Sequence, residues 1–233
     1  MTNTQSVMRR TWLAALSAAL AMNIYAPTQA QAADDLAPLP LKLPMPSFKG
    51  TPDDLPKGPN IEPFSDKPRP AFMAPAGVQN VALNKKVTSS DKSPITGTLS
   101  QITDGNKDAI DDAVVEMHKN VQWVQVDLEQ EYNIYALLIW HDHRYVQVFR
   151  CVVVQVAEDP DFTKNVQTIF NNDIENTAGL GIGKDKQYFE TNQGKLIDTK
   201  GIKGRYLRFY SKGSNASALN CYTEIEVYGL PAK

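Results

Sequence analysis

The stretch Trp123-Val124-Gln125-Val126-Asp127-Leu128 alternates strictly. Val124, Val126 and Leu128 fall on one face and Trp123, Gln125 and Asp127 on the other, the period of a strand with one buried face. Strand signals also run from Asn133 to Trp140, from Phe149 to Ala157 and from Arg205 to Ser211, and the chain closes on Glu224-Ile225-Glu226-Val227-Tyr228-Gly229. Shorter strands are expected at Val87 to Ser90, near Val166 to Phe170 and at Tyr188 to Glu190, with turns at Ile102 to Asn106 and Asp159 to Asp161. Asp108 to Asn120 admits a helical turn. No long amphipathic helix follows Val81. Short strands separated by turn residues predict an all-β fold, an antiparallel jelly-roll β-sandwich of about eight strands, over residues 80–233.

Upstream of Asn80 the material changes twice. Arg9 and Arg10 precede an apolar run from Trp12 to about Ala26, which ends at Ala30-Gln31-Ala32. A basic segment, a short apolar core and a small-x-small site predict a secretory signal peptide over residues 1–32, and with it an exported chain, periplasmic, cell-surface or secreted. The run is too short and interrupted to predict a membrane span. The export route, general or twin-arginine, stays open. Residues 33–79 hold eleven of the fifteen prolines and show neither helical nor strand period. Proline fixes φ and removes backbone donors, so this segment is expected to be a disordered, semi-extended linker. Leu41, Leu43, Phe48, Phe64 and Phe72 are apolar enough to pack on the domain instead, or to meet a partner.

Loss of residues 1–32 removes two arginines and no acids, which leaves 22 basic against 26 acidic residues, a formal charge of −4. No basic run stands out, and phosphate neutralisation needs clustered Lys and Arg, so nucleic acid is not expected as a partner. Cys151 and Cys221 could form a disulfide in an oxidising compartment or remain two buried thiols. Spacing does not decide between them.

Five stretches in order carry a resemblance: Asn80-Val81-Ala82-Leu83-Asn84-Lys85, Ile102-Thr103-Asp104-Gly105-Asn106, Trp123 to Leu128, Gly204-Arg205-Tyr206-Leu207-Arg208-Phe209, and Glu224 to Gly229. Together they resemble the discoidin family, the coagulation-factor type C domain. Its galactose-binding-like jelly roll includes bacterial carbohydrate-binding modules and fucose-binding lectins. The resemblance implies binding loops at one end of the sandwich and a non-catalytic role. It also implies a structural Ca2+ near the aspartate turn, with Asp104, Asn106 and Glu224 as the metal residues. Calcium takes six to eight oxygens from carboxylates and tight-turn carbonyls, which suits such a turn. Glu226 shares a face with Glu224 and is the other candidate. Asp104 as a plain turn-stabilising residue is the alternative to a metal. Asp108, Asp111 and Asp112 depart from the family pattern.

His141-Asp142-His143-Arg144-Tyr145 follows Trp140 directly. Sugar-binding relatives carry His, Arg and an aromatic in such loops, which makes His141, His143, Arg144 and Tyr145 the candidate ligand-binding residues. Fixed donors suit vicinal hydroxyls and a ring suits the C–H face of a sugar. Two other readings stand beside this one. One is a solvated turn in which Arg144 pairs with Asp142; the other is a transition-metal site on His141, His143 and Asp142. Gly179-Leu180-Gly181-Ile182-Gly183-Lys184 lacks the spacing and the hydroxyl residue of a phosphate-cradling loop. No nucleophile–base–acid set can be nominated, so an enzyme is not expected. The reading is an exported, non-catalytic module that binds carbohydrate, with a protein-interaction module of the same fold, on a cell-surface or periplasmic partner, as the alternative.

Overall fold

A computed structural model describes residues 35–48 and 53–232. Residues 1–32, read as a signal peptide, lie outside the described residues. The strands are β1 (Leu36–Pro38), β2 (Met73–Pro75), β3 (Gln79–Asn80), β4 (Lys86–Ser89), β5 (Val115–Met117), β6 (Gln122–Trp140), β7 (Val148–Phe149), β8 (Val153–Ala157), β9 (Gln167–Asn171), β10 (Tyr188–Phe189), β11 (Lys195–Ser211), β12 (Asn220–Tyr222) and β13 (Glu224–Pro231). Two single 3-10 turns, Leu99–Thr103 and Asp111–Ala113, complete the regular structure of the described residues. No helix among them is long and apolar enough to cross a membrane.

β6 and β11 hold the fold together. They pair antiparallel along their length, with Lys195 opposite Ile139, Ile202 opposite Ile134, Tyr206 opposite Asp127 and Ser211 opposite Gln122. Register breaks between Asp198 and Ile202 and between Gly204 and Tyr206, alongside Glu129 at φ 70° on β6. Such breaks bend strands and let them change layer. The first half of β6 pairs with β4, and the second half of β11 continues to β8 and β9. The second half of β6 pairs with β13, which pairs in turn with β3. The result is two layers that share their two long strands, the sandwich expected from the sequence. Val124, Val126, Leu128, Leu207 and Phe209 from one layer meet Ile134, Leu137, Ile139, Ile225 and Val227 from the other in one buried cluster.

Both ends of β6 lie at the same end of the sandwich. The buried Asn220 donates from Nδ2 to the carbonyl of Asn120 at 2.8 Å, just before β6, while the nearby Thr223 donates its N–H to the Trp140 carbonyl at 2.8 Å, where β6 stops. The loops that follow β6, β9 and β11 therefore gather at one end. The corners around residues 129–133 and 199–205 occupy the other.

The segment expected to be a disordered linker is instead packed on the domain over its described residues. β1 pairs with β2, and Leu39 N–H donates to the Phe72 carbonyl at 2.9 Å. Glu62 and Gln187 are joined through the backbone at 2.8 Å, Phe64 sits edge-on to Phe189 at 5.4 Å, and Lys195 forms an ion pair with Glu62. The cause lies on β6. Ala136, Leu138 and Trp140 form its outer face, and with Tyr228 they would expose an apolar surface. Ala74 and Val78 bury it, with Leu39, Leu41 and Phe72 packed alongside. Proline removes donors from the segment, but the residues between the prolines supply enough of them to dock. Arg69 donates to the Gly194 carbonyl at 2.8 Å and pairs with the Gln193 carbonyl, gripping the turn before β11. That turn in turn fits Trp140. A Cβ on Gly194 would lie 2.6 Å from the indole, and Trp140 Nε1–H donates to the Asn192 carbonyl at 3.0 Å.

Cys151 and Cys221 are both free and buried, which answers the pairing question left open by the sequence. Burial pushes the Cys221 thiol up to about 12, so it stays protonated.

Leu138 is fully buried between β6 and the docked segment. Leu138→Ala should therefore cost about 2–5 kcal/mol, as a core truncation does. Urea unfolding of the mature chain measures this. A cost below ~0.5 kcal/mol, the range of exposed-surface changes, would mean that the outer face is not covered.

Candidate functional site

At the loop end, the five residues after Trp140 divide into a buried part and an exposed part. His141 has no solvent exposure. Its ring stacks on Phe149 at 4.1 Å and tilts against Tyr222 at 4.9 Å. Its Nδ1 lies 3.0 Å from the carboxylate of the equally buried Glu190. His143 is also fully buried, and its Nε2–H donates to the Lys107 carbonyl at 2.8 Å. A carbonyl only accepts, so Nε2 carries a proton. Neither histidine reaches solvent, so neither can touch a ligand in this arrangement, contrary to the expectation that both would line the site. The chain leaves β6 at Trp140, and the two rings enter separate packed environments. They also do not converge on one metal. Among the described residues no cluster of three or more His, Cys, Asp or Glu side chains has metal-holding geometry.

The half-buried Arg144 and the exposed Tyr145 make up the other part. The Arg144 guanidinium grips Asp142 bidentately, Nε to Oδ1 at 2.8 Å and Nη2 to Oδ2 at 2.9 Å, and its Nη1 pairs with Asp111. The Arg144–Asp142 pairing considered from sequence is thus present. Asp142 also accepts the Arg144 N–H at 3.1 Å, and its own carbonyl accepts Gln147 Nε2 at 2.6 Å. The hydrogen bond to Asp142 holds the guanidinium above its ordinary pKa, fixed in charge and in direction. Tyr145 is 66% exposed, with the guanidinium carbon 5.8 Å from its ring centre. Arg144 lines a pocket of about 390 Å³ with Thr96, Gly97, Gln101, Asp111 and Asp112. The pocket joins one oriented cation to several acceptors, and an exposed ring stands next to it. The sequence reading did not place Thr96, Gln101 and Asp111 beside Arg144, because they come from loops far from it in the chain.

The aspartate turn and the closing glutamate do come together. Gly105 N–H lies 3.2 Å from both carboxylate oxygens of Glu224. Glu224 is fully buried, and burial first, with Glu226 and Asp104 adding to it, pushes its carboxyl up to about 9. Glu226 is differently placed: it is paired with Lys107 and accepts the Tyr228 hydroxyl at 2.9 Å. Lys107 also lies 5.2 Å from the centre of the Trp140 ring. Asp104 Oδ1 accepts the Asn106 N–H at 2.8 Å, and Asn106 Oδ1 accepts the Asp108 N–H at 3.1 Å. Glu224 is thus a buried carboxylate without a basic side chain of its own, beside a turn rich in oxygens. That donor set fits a hard cation, provided that backbone carbonyls complete the shell.

No family model matches the chain, and no curated protein matches it. Solved structures that it resembles include a fucose-binding module of Streptococcus pneumoniae, at 21% identity and TM-score 0.47, over 64% of this chain and 97% of that one. A chitosan-binding module from a Paenibacillus chitosanase/glucanase aligns at 20% identity and TM-score 0.45, over 65% of this chain and 99% of that one. A lectin domain of lectinolysin, complexed with Lewis b, aligns at 17% identity and TM-score 0.46, over 68% of this chain and all of that one.

Glu224 makes stability depend on pH. Its folded pKa lies above the ordinary carboxylate value, so the unfolded state loses the proton first. The stabilisation is complete below the ordinary range near 4 and is lost as pH rises through about 9. In chelator, the melting temperature of the wild type should fall between pH 5 and pH 9, and Glu224→Gln should flatten that fall. An equal slope in the variant would show that Glu224 is not the responsible group.

Proposed function

We propose that the chain is an exported, non-catalytic module that binds carbohydrate at the loop end of its sandwich, through the Arg144 pocket with Tyr145 as stacking platform. The observation that carries this is the pairing of a clamped guanidinium with an exposed ring. Asp142 holds Arg144 in one orientation at the edge of a polar pocket, so little side-chain freedom is lost when a ligand arrives. A saccharide needs such fixed donors and acceptors for its hydroxyls and an aromatic face for its C–H groups. His141 and His143 belong to the support: they pack behind the loop and tie it to Glu190 and Lys107. Export rests on the sequence of residues 1–32.

The test is a glycan array with the mature protein, collected from the exported fraction and shown by N-terminal sequencing to begin at Ala33. Arg144→Ala and Tyr145→Ala should each weaken binding roughly tenfold, the effect of one lost charge-assisted or stacking contact. Capture of a cell-surface protein with no glycan bound would favour the protein-interaction reading instead. A glycan bound equally by both variants would place the site elsewhere.

The same reading includes a structural Ca2+ held by Glu224 and Asp104, with oxygens of the turn at Asn106. The ion would neutralise the buried carboxylate and fasten the aspartate turn to β13. A bound ion adds about 2.7 kcal/mol at 100 times its Kd. Calcium should therefore raise the melting temperature, magnesium should substitute poorly, and Asp104→Ala should abolish the response. Identical melts in calcium and in chelator, on protein free of metal by elemental analysis, would remove the ion from the account.

A further inference from the structure

A second pocket at the loop end, of about 410 Å³, is lined by Lys119, Arg150 and Lys212 together with Ser214, Asn215 and Glu175. The three cations are exposed, and none is ion-paired among the described residues, whose ion pairs lie elsewhere. They are far apart in the chain. Each comes from a different loop, and the charge they concentrate contrasts with a protein whose formal charge is −2 overall. Glu175 is the one carboxylate in the lining, so the pocket keeps a positive surplus. Cys151 adds no anion, because burial raises its thiol pKa.

The backbone beneath two of these cations is fixed by one buried side chain. Asn220 Oδ1 accepts Ser211 Oγ–H at 2.7 Å and Gly213 N–H at 3.0 Å, the residues on either side of Lys212. Its Nδ2 donates to the carbonyls of His118 at 2.7 Å and Asn120 at 2.8 Å, the residues on either side of Lys119. Asn215 exchanges bonds with Val148, two residues before Arg150: Val148 N–H donates to Asn215 Oδ1 at 2.6 Å, and Asn215 N–H to the Val148 carbonyl at 3.0 Å. Gly213, at φ 70°, makes the tight turn possible, since a Cβ there would lie 2.3 Å from the Ser217 carbonyl oxygen. Ser214 Oγ accepts the N–H groups of Ala216 and Ser217 at 3.1 Å each. The three cations therefore project from firmly held backbone, and their converging charge suits a negative group.

We infer that this pocket is an anion site that takes the carboxylate or sulfate of an acidic saccharide. Lys119, Arg150 and Lys212 would receive the charge, and the Ser214–Ser217 loop would face the sugar hydroxyls. The inference rests on the carbohydrate reading for the sugar, while the pocket itself supplies the preference for charge. It is separate from the Arg144 pocket.

The test uses the full mature chain and calorimetric titration with uronate-bearing and sulfated oligosaccharides, each beside its methyl-esterified or desulfated counterpart. Acidic members should bind at least tenfold tighter than their neutral counterparts, and less tightly as salt rises. Arg150→Ala and Lys212→Ala, both at exposed positions, should each lose roughly tenfold, the scale of one charge-assisted contact. Arg144→Ala should keep the preference for the acidic member. Equal binding of acidic and neutral members would overturn the anion site and leave the carbohydrate reading standing. A preference that survives in the Arg150→Ala/Lys212→Ala double variant would also overturn it. Inorganic sulfate that binds as tightly as the saccharides would overturn the assignment to a glycan. Silence from every saccharide, acidic and neutral, would defeat both readings.

Discussion

The second half of β6 is apolar on both faces, and the rest of the structure answers to that. Ile134, Leu137 and Ile139 face the interior, while Ala136, Leu138 and Trp140 face outward. A sheet face of that kind must be covered, at ~25 cal/mol for each Å² withdrawn from water. The proline-bearing segment covers it. The fold is therefore a sandwich with a third, thin cover, and the covering chain is part of the stable unit.

The same strand organises the working end. β6 leaves the loop end at Gln122 and returns to it at Trp140, so the segments on either side of it stand next to each other. Asn220 spans them, reaching the carbonyls of His118 and Asn120, and Thr223 Oγ1–H donates to the His141 carbonyl at 2.6 Å. His143 binds the Lys107 carbonyl, Lys107 pairs with Glu226, and Gly105 meets Glu224. The aspartate turn, the Arg144 loop and the start of β13 form one bonded network.

What was legible in the sequence follows from local pattern. Strict alternation at Trp123 to Leu128 gave one buried face correctly, because a strand period is a property of neighbours. The unbroken run Tyr135 to Trp140 carried the signal for a second covered face, yet the partner for that face lay in a segment whose prolines pointed to disorder. Asp104 and Glu224 were brought together by family resemblance, and the structure places their turn and strand in contact. The histidines were misjudged, since the burial of His141 depends on Glu190 and Tyr222, both far from it in sequence, as well as on Phe149. The basic pocket was invisible for the same reason. Lys119, Arg150 and Lys212 form no run, and only the convergence of three loops makes them a site.

The central claim is that ligand is held at the loop end, where β6 begins and ends. Hydrogen–deuterium exchange of the mature chain, with and without the tightest saccharide from the array, addresses it directly. The account predicts slowed exchange at that end, within residues 96–116 and 142–147 for a neutral sugar and extending to 211–219 for an acidic one. Slowing confined to the opposite corners, residues 129–133 and 199–205, or to the covering segment alone, would contradict it.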